Sequence, residues 1–193
     1  MLTRRSLIAG LAALASPAFA APRRYELDVE KSRVGFTYIL SNALQQGQMP
    51  ISRADLRIDP FNLGDSTADV IVNPDGARTG FFFATEALKS ASVLNTAQFP
   101  EIHFVSRAVR LAPTGRLSDG AALVGDLTVR GVTRPITLKA QLFRPPGSAP
   151  DDLSALTITL KGQISRSAFG ATGFADIVAD TVGLDITAAI RAI

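Results

Sequence analysis

Through most of this 193-residue chain, apolar side chains recur at every second position, a pattern that leaves few folds open. Successive residues of a strand point to opposite faces, so a row at i, i+2, i+4 makes one face of a sheet apolar. Val34, Phe36, Tyr38 and Leu40 form one row, and Ala54, Leu56 and Ile58 a second. Ala68, Val70 and Val72 follow, then Leu123, Leu127 and Val129 with Gly125, then Ile136, Leu138, Ala140 and Leu142. Leu156, Ile158, Leu160 and Ile164 make a further row, and Val182, Leu184, Ile186, Ala188 and Ile190 the last. The clearest stretch is residues 125–138, where two alternating runs break at Gly131 and Pro135. It predicts strand, tight turn, strand, with Leu127 and Leu138 inward and Thr128 and Lys139 outward.

Rows with a single apolar side can stack as a sandwich or close into a barrel. Several rows span long strands with few short connections, which favours an all-β, extended antiparallel eight-stranded barrel. A barrel of that size holds either its own side chains or one small ligand. Gly125, Ala140, Gly162 and Ala188 lie inward by alternation and are expected to leave room. Two stretches depart from period two. Residues 85–95 predict a short helix with Thr85 as its N-cap, and residues 168–179 are Gly-rich, with Phe169, Phe174 and Ile177 available to cover something apolar. Residues 101–111 mix polar and apolar on both faces, which a β-bulge would reconcile. Residues 144–150 read as a Pro-rich loop between two strands.

The amino terminus reads differently. A basic head, a small apolar run too short for a bilayer and Ala18-Phe19-Ala20 predict a signal peptide over residues 1–20, leaving residues 21–193 as one barrel domain. Arg4 and Arg5, within Thr3-Arg4-Arg5-Ser6-Leu7-Ile8, favour the twin-arginine route and a periplasmic destination. Their removal takes the net charge of +3 close to zero, so the mature chain has no electrostatic footprint for nucleic acid. It has no apolar run long enough to span a membrane. With no cysteine and one histidine, His103, disulfides and thiolate chemistry are excluded and a transition-metal site is disfavoured. No Ser-His-Asp arrangement is suggested. Asp151-Asp152 reads as a solvated loop pair, and Asn73-Pro74-Asp75-Gly76 as a turn.

Five segments carry a family resemblance. They are Tyr25-Glu26-Leu27-Asp28 with Ser32, Val34 and Phe36; Leu88-Lys89-Ser90 through Phe99-Pro100-Glu101-Ile102-His103-Phe104; residues 125–138; Ile164-Ser165-Arg166-Ser167-Ala168-Phe169-Gly170; and residues 182–190. In this order they resemble the YceI family, the polyisoprenoid-binding periplasmic proteins. Lys31 stands where that family often has histidine, and Val93-Leu94 where it usually has an aromatic pair. The resemblance implies a lipocalin-like barrel that encloses a long isoprenoid chain and is not an enzyme. It implies no catalytic or metal-binding residue and no cofactor, beyond a bound polyisoprenoid or quinone.

The candidate wall residues are Phe36, Tyr38, Leu56, Phe104, Leu127, Leu138, Ala140, Ile158, Phe169, Leu184, Ile186 and Ala188. Arg166 has two readings: a guanidinium for a pyrophosphate or quinone oxygen, or a structural arginine tied to backbone carbonyls or to Asp176 or Asp180. His103 reads either as a head-group partner or as an ordinary strand histidine. Phe81-Phe82-Phe83, taken as a strand, must expose at least one ring. It reads as a portal, a homodimer contact, or a corner packed under the helix. The expected ligand is an apolar lipid or isoprenoid. The rival reading is a structural or stress-related interaction protein whose barrel is filled by its own side chains.

Overall fold

A computed structural model describes residues 23–59, 62–113, 119–149 and 152–193. The expected signal peptide over residues 1–20 with Arg4 and Arg5, the expected start at Ala21, and Pro150 and Asp151 lie outside the described residues. The elements run β1 (Arg23–Leu40), β2 (Ala43–Met49), β3 (Ile51–Ile58), β4 (Thr67–Val72), β5 (Arg78–Thr79) and α1 (Phe82–Lys89). They continue through β6 (Ile102–Leu111), β7 (Ala121–Val129), β8 (Val132–Phe143), β9 (Ala155–Ser165) and β10 (Thr181–Ala192).

Strands β1, β3, β4, β6, β7, β8, β9 and β10 join in that order, every pair antiparallel, and β10 pairs back onto β1. The result is the expected closed eight-stranded barrel. One edge of β1 pairs with β2 from Val34↔Met49 to Leu40↔Ala43 and with β3 at Tyr25↔Leu56. Strands β2 and β3 are thus one path interrupted at Pro50, and β5 extends the sheet beyond β2.

Alternation holds within each strand but not across its irregularities. In β6 the register shifts between Ser106 and Ala108, so Arg107 is the extra residue of a bulge. Ile102, Phe104 and Ser106 face inward before it and Val109 after it, which is the phase change expected for residues 101–111. In β1 the register shifts between Asp28 and Arg33. There the Ser32 hydroxyl donates to the Asp28 carbonyl at 2.6 Å and accepts from the Ala189 amide at 3.0 Å.

The β7–β8 hairpin follows the predicted register. Leu127 and Leu138 are buried and line the interior, Lys139 is exposed, and the Thr128 hydroxyl pairs on the outer face with Thr133 at 2.8 Å. The turn is Arg130-Gly131, with φ of 52° and 73°. Two consecutive positive φ values match the twist of the flanking strands. Pro135 is not at the break. It lies within β8 opposite Asp126, in the half that β9 leaves unpaired, the kind of edge where proline is tolerated.

The helix departs from the expectation. It spans Phe82–Lys89, with Phe81 as its N-cap, so Thr85 lies inside it. The Thr85 hydroxyl donates back to the Phe81 carbonyl and accepts from the Thr79 amide. The three phenylalanines therefore open a helix instead of continuing a strand. Residues 90–95 leave the helix in turns held by Val93 N–H to Ser90 O and Asn95 N–H to Ser90 O. Among the described residues no helix is long and apolar enough to cross a membrane.

Gly125 and Gly162 do not leave empty space. A Cβ on Gly125 would lie 2.5 Å from the Phe104 ring and 2.6 Å from the Val105 carbonyl oxygen. On Gly162 it would lie 2.6 Å from Leu138 Cδ2, and on Gly47 2.2 Å from the Phe36 ring. The room that each glycine gives up is filled by a large neighbour. Gly125→Ala should therefore lower the denaturation free energy by about 1–3 kcal/mol. Gly80→Ala, where a Cβ meets nothing within 4 Å, should be close to neutral. Urea midpoints of both variants check this.

Candidate functional site

The inward rows enclose a cavity of about 870 Å³, near the upper end of the roughly 300–1,000 Å³ found for small-molecule sites. Every wall residue proposed from the sequence borders it. Phe36 and Tyr38 come from β1, Leu56 from β3, Phe104 from β6, Leu127 from β7, Leu138 and Ala140 from β8, and Ile158 from β9. Leu184, Ile186 and Ala188 come from β10, and Arg166 and Phe169 from the segment after β9. The same alternation supplies Val34, Leu40, Val70, Ile136 and Leu160, which the sequence rows contained but the candidate set omitted, and Ile102 joins them from β6.

Part of the core packs at one end of the barrel. Tyr25, Leu56, Ile58, Leu156 and Ile190 form a buried cluster there. The Tyr25 hydroxyl donates to the Leu153 carbonyl at 3.0 Å, and burial pushes its pKa up. At the other end a second cluster, Leu94, Leu127, Val129 and Phe169, seats the turns after α1 against the barrel. Val93 and Leu94 border the cavity there. Lys31 takes no part, pairing with Asp28 at 3.0 Å on the outside.

The exposed apolar wall residues gather at this second end. Phe81 and Phe83, 54% and 84% exposed, border the cavity beside Phe174 and Ile177. Backbone bonds from Ser41 N–H to Ile177 O and from Ala179 N–H to Ile39 O dock the segment after β9 onto the β1–β2 turn. Strand β5 runs along β2 toward that same turn and delivers Phe81 there. Phe82 stands outside, 73% exposed, edge-on to Phe83. Phe174 and Ile177 belong to the irregular segment marked as available to cover something apolar. Period two cannot place such residues, because only the docked loop brings them to the mouth.

Among the described residues Arg166 is the sole ionic side chain on the cavity wall, and it is buried. Its Nε donates to Ala179 O, its Nη1 to Ala171 O and Gly173 O, and its Nη2 to Val178 O, all at 2.7–3.1 Å. This is the structural arrangement weighed for the residue, with backbone carbonyls as partners. Asp180 pairs instead with the backbone, accepting Ser167 N–H at 2.9 Å. Hydrogen bonds from Ser165 and Ser167, with Arg166 nearby, hold its carboxyl below the usual range. Arg166 therefore acts as a clamp on the mouth loop.

His103 lies outside the wall. Its Nε2 is 2.8 Å from Asp69 Oδ1 on a half-exposed surface. Among the described residues no three His, Cys, Asp or Glu side chains gather as a metal-ligand group. What the arrangement can do is bury an apolar chain and shield it from water.

The model of the YceI-like domain matches residues 25–190. Protein YceI of Escherichia coli is 34% identical over 85 residues, covering 44% of this chain and 42% of its own length. The chain thus aligns with less than half of that relative. A UPF0312 protein of Vibrio parahaemolyticus is 28% identical over 152 residues, 76% of this chain and 78% of its own. The crystal structure of BcnA from Burkholderia cenocepacia superposes with a TM-score of 0.74 at 21% identity, covering 85% of this chain and 99% of BcnA. A polyisoprenoid binding domain from Saccharophagus degradans, implicated in plant cell wall breakdown, gives 0.62 at 15% identity over 89% of this chain and 99% of that one. At these identities the two structures show the shared fold.

Replacing the clamp tests its role. Lysine keeps the charge but cannot reproduce the guanidinium fork. Arg166→Lys should leave carbonyls of the mouth loop unpaired and cost about 1–3 kcal/mol. Faster amide exchange confined to residues 171–179, read with the denaturation midpoint, is the expected result.

Proposed function

The chain belongs to the YceI family, and from that premise we propose that it is a periplasmic carrier or store for an isoprenoid, quinone or similar lipid chain. The observation that carries this reading is the cavity. It is walled almost wholly by apolar side chains and is bordered by the exposed Phe81, Phe83 and Phe174. The polyisoprenoid binding described for the Saccharophagus degradans domain supports the same ligand class.

The mechanism is burial. Each methylene taken out of water contributes roughly 0.8 kcal/mol, so ten of them supply about 8 kcal/mol before ordering costs. Such a ligand needs few polar contacts. Phe81, Phe83, Phe174 and Ile177 form the portal, an apolar surface across which a chain passes without meeting water. Membership of the YceI family and the likeness to a polyisoprenoid binding domain support a binding role over an enzymatic one. The filled-barrel rival has one observation in its favour, the occupied spaces above Gly47, Gly125 and Gly162. The cavity is the volume that remains after Phe36, Phe104 and Leu138 are in place.

Native mass spectrometry of gently purified protein should show a retained lipid mass. Ala188 borders the cavity among larger neighbours. Ala188→Phe should cut lipid retention with little change in the urea midpoint. A clean apo mass for the parent, with a loss of about 1–3 kcal/mol in the variant from overpacking, overturns the carrier reading in favour of the filled barrel. Export has its own test. Replacing Arg4 and Arg5 together by Lys should trap the chain in the cytoplasm, and undiminished periplasmic protein would show a route other than twin-arginine.

A further inference from the structure

We infer that the Tyr38 hydroxyl is the head-group anchor of the cavity, and that the ligand is an uncharged lipid with a carbonyl or hydroxyl oxygen at one end. This inference rests on the lipid-binding reading and deepens it.

Tyr38 sits on β1 opposite Gln45, between Phe36 and Leu40 on the inward row. Its ring stacks on Phe36, centroids 6.1 Å apart and planes inclined by 28°, so the wall holds it in place. The hydroxyl is buried and has no hydrogen-bond partner in the protein among the described residues. Three other hydroxyls of the wall have partners. Ser106 Oγ accepts from Ala68 N–H and Ser66 Oγ from Asp59 N–H. Thr79 Oγ1 pairs with Thr85 and donates to Phe81 O. A buried tyrosine normally places its hydroxyl on a partner, and an unpaired one is costly. A phenylalanine would line an apolar cavity without that cost. The cost is recovered when an oxygen of the ligand lies against the phenol.

Position and charge narrow the ligand. Leu40, two residues on, bridges to Val178 in the mouth loop. The ligand's polar end therefore lies just inside the mouth, and its tail runs toward Leu56, Ile158 and Ala188. A phosphate there would need a cation. The one on the wall among the described residues, Arg166, is engaged by four backbone carbonyls, and a buried anion without a partner is strongly disfavoured. A neutral oxygen, which a phenol can satisfy alone, fits the site.

The test uses purified, delipidated protein and displacement of a fluorescent apolar probe. The competitors are an isoprenoid quinone, a polyprenol, the polyprenyl pyrophosphate and squalene. The quinone or the polyprenol should bind about three- to tenfold tighter than squalene, the span of one net hydrogen bond. Whichever leads tells whether the phenol meets a carbonyl or a hydroxyl. Tyr38→Phe should bring these affinities together, and its urea midpoint in the lipid-free state should equal or exceed the parent's. No preference over squalene, a preference that survives Tyr38→Phe, or a lower midpoint in the variant overturns the anchor while leaving lipid binding intact. Tightest binding by the pyrophosphate overturns the uncharged head group. Failure of every competitor, squalene included, overturns the lipid-binding reading itself.

Discussion

The ladder between β1 and β10 is the interaction on which the rest of this structure depends. It runs from Tyr25↔Ala192 to Thr37↔Gly183 and joins the first and last strands of the barrel. Without it, two long edges would offer unpaired N–H and C=O groups to any other strand, and the apolar rows would face water. With it, the rows acquire an inside. The closing strands are far apart in sequence, so the chain must order the intervening hairpins before this pairing forms.

Closure makes demands on strand length and phase, which the irregularities meet. The shifts after Asp28 in β1, after Ile51 in β3 and after Ser106 in β6 bend the strands and return apolar side chains to the inner face. Ser32 mends the first of these breaks with its hydroxyl. Glycines meet another demand. At Gly47, Gly125 and Gly162 the missing Cβ lets Phe36, Phe104 and Leu138 lie flat on the wall, so large side chains line the cavity without crossing it.

The open end is built from backbone carbonyls and two arginines. Arg166 gathers four carbonyls of the loop before β10. Arg130, in the left-handed turn of the β7–β8 hairpin, donates to Ala91 O and Val93 O and seats the turns after α1. Both cations hold the mouth in shape. In the carrier we propose, lipid specificity then falls to an apolar wall with one unpaired buried phenol among the described residues, and entry to a rim of exposed aromatic rings.

The barrel, its inward rows and nearly all of its wall were legible in the sequence, because alternation is a local property and each strand repeats it. Leu127 against Thr128, and Leu138 against Lys139, show their faces in two adjacent letters. The bulge near Arg107 was legible for the same reason, as a local change of phase. Other features depended on partners distant in the chain. Phe81-Phe82-Phe83 carries no period that separates a strand end from a helix start, and the docking of β5 on β2 decided it. Gly125 and Gly162 looked like space because a sequence does not show which neighbour lies across the sheet. Arg166 looked able to bind a head group until the folded loop supplied its carbonyls. Tyr38 read as one more ring in a row, since only the closed barrel leaves its hydroxyl without a partner. Alternation sets which way a side chain points, whereas closure sets what it meets, and hydrogen-bonding chemistry depends on what it meets.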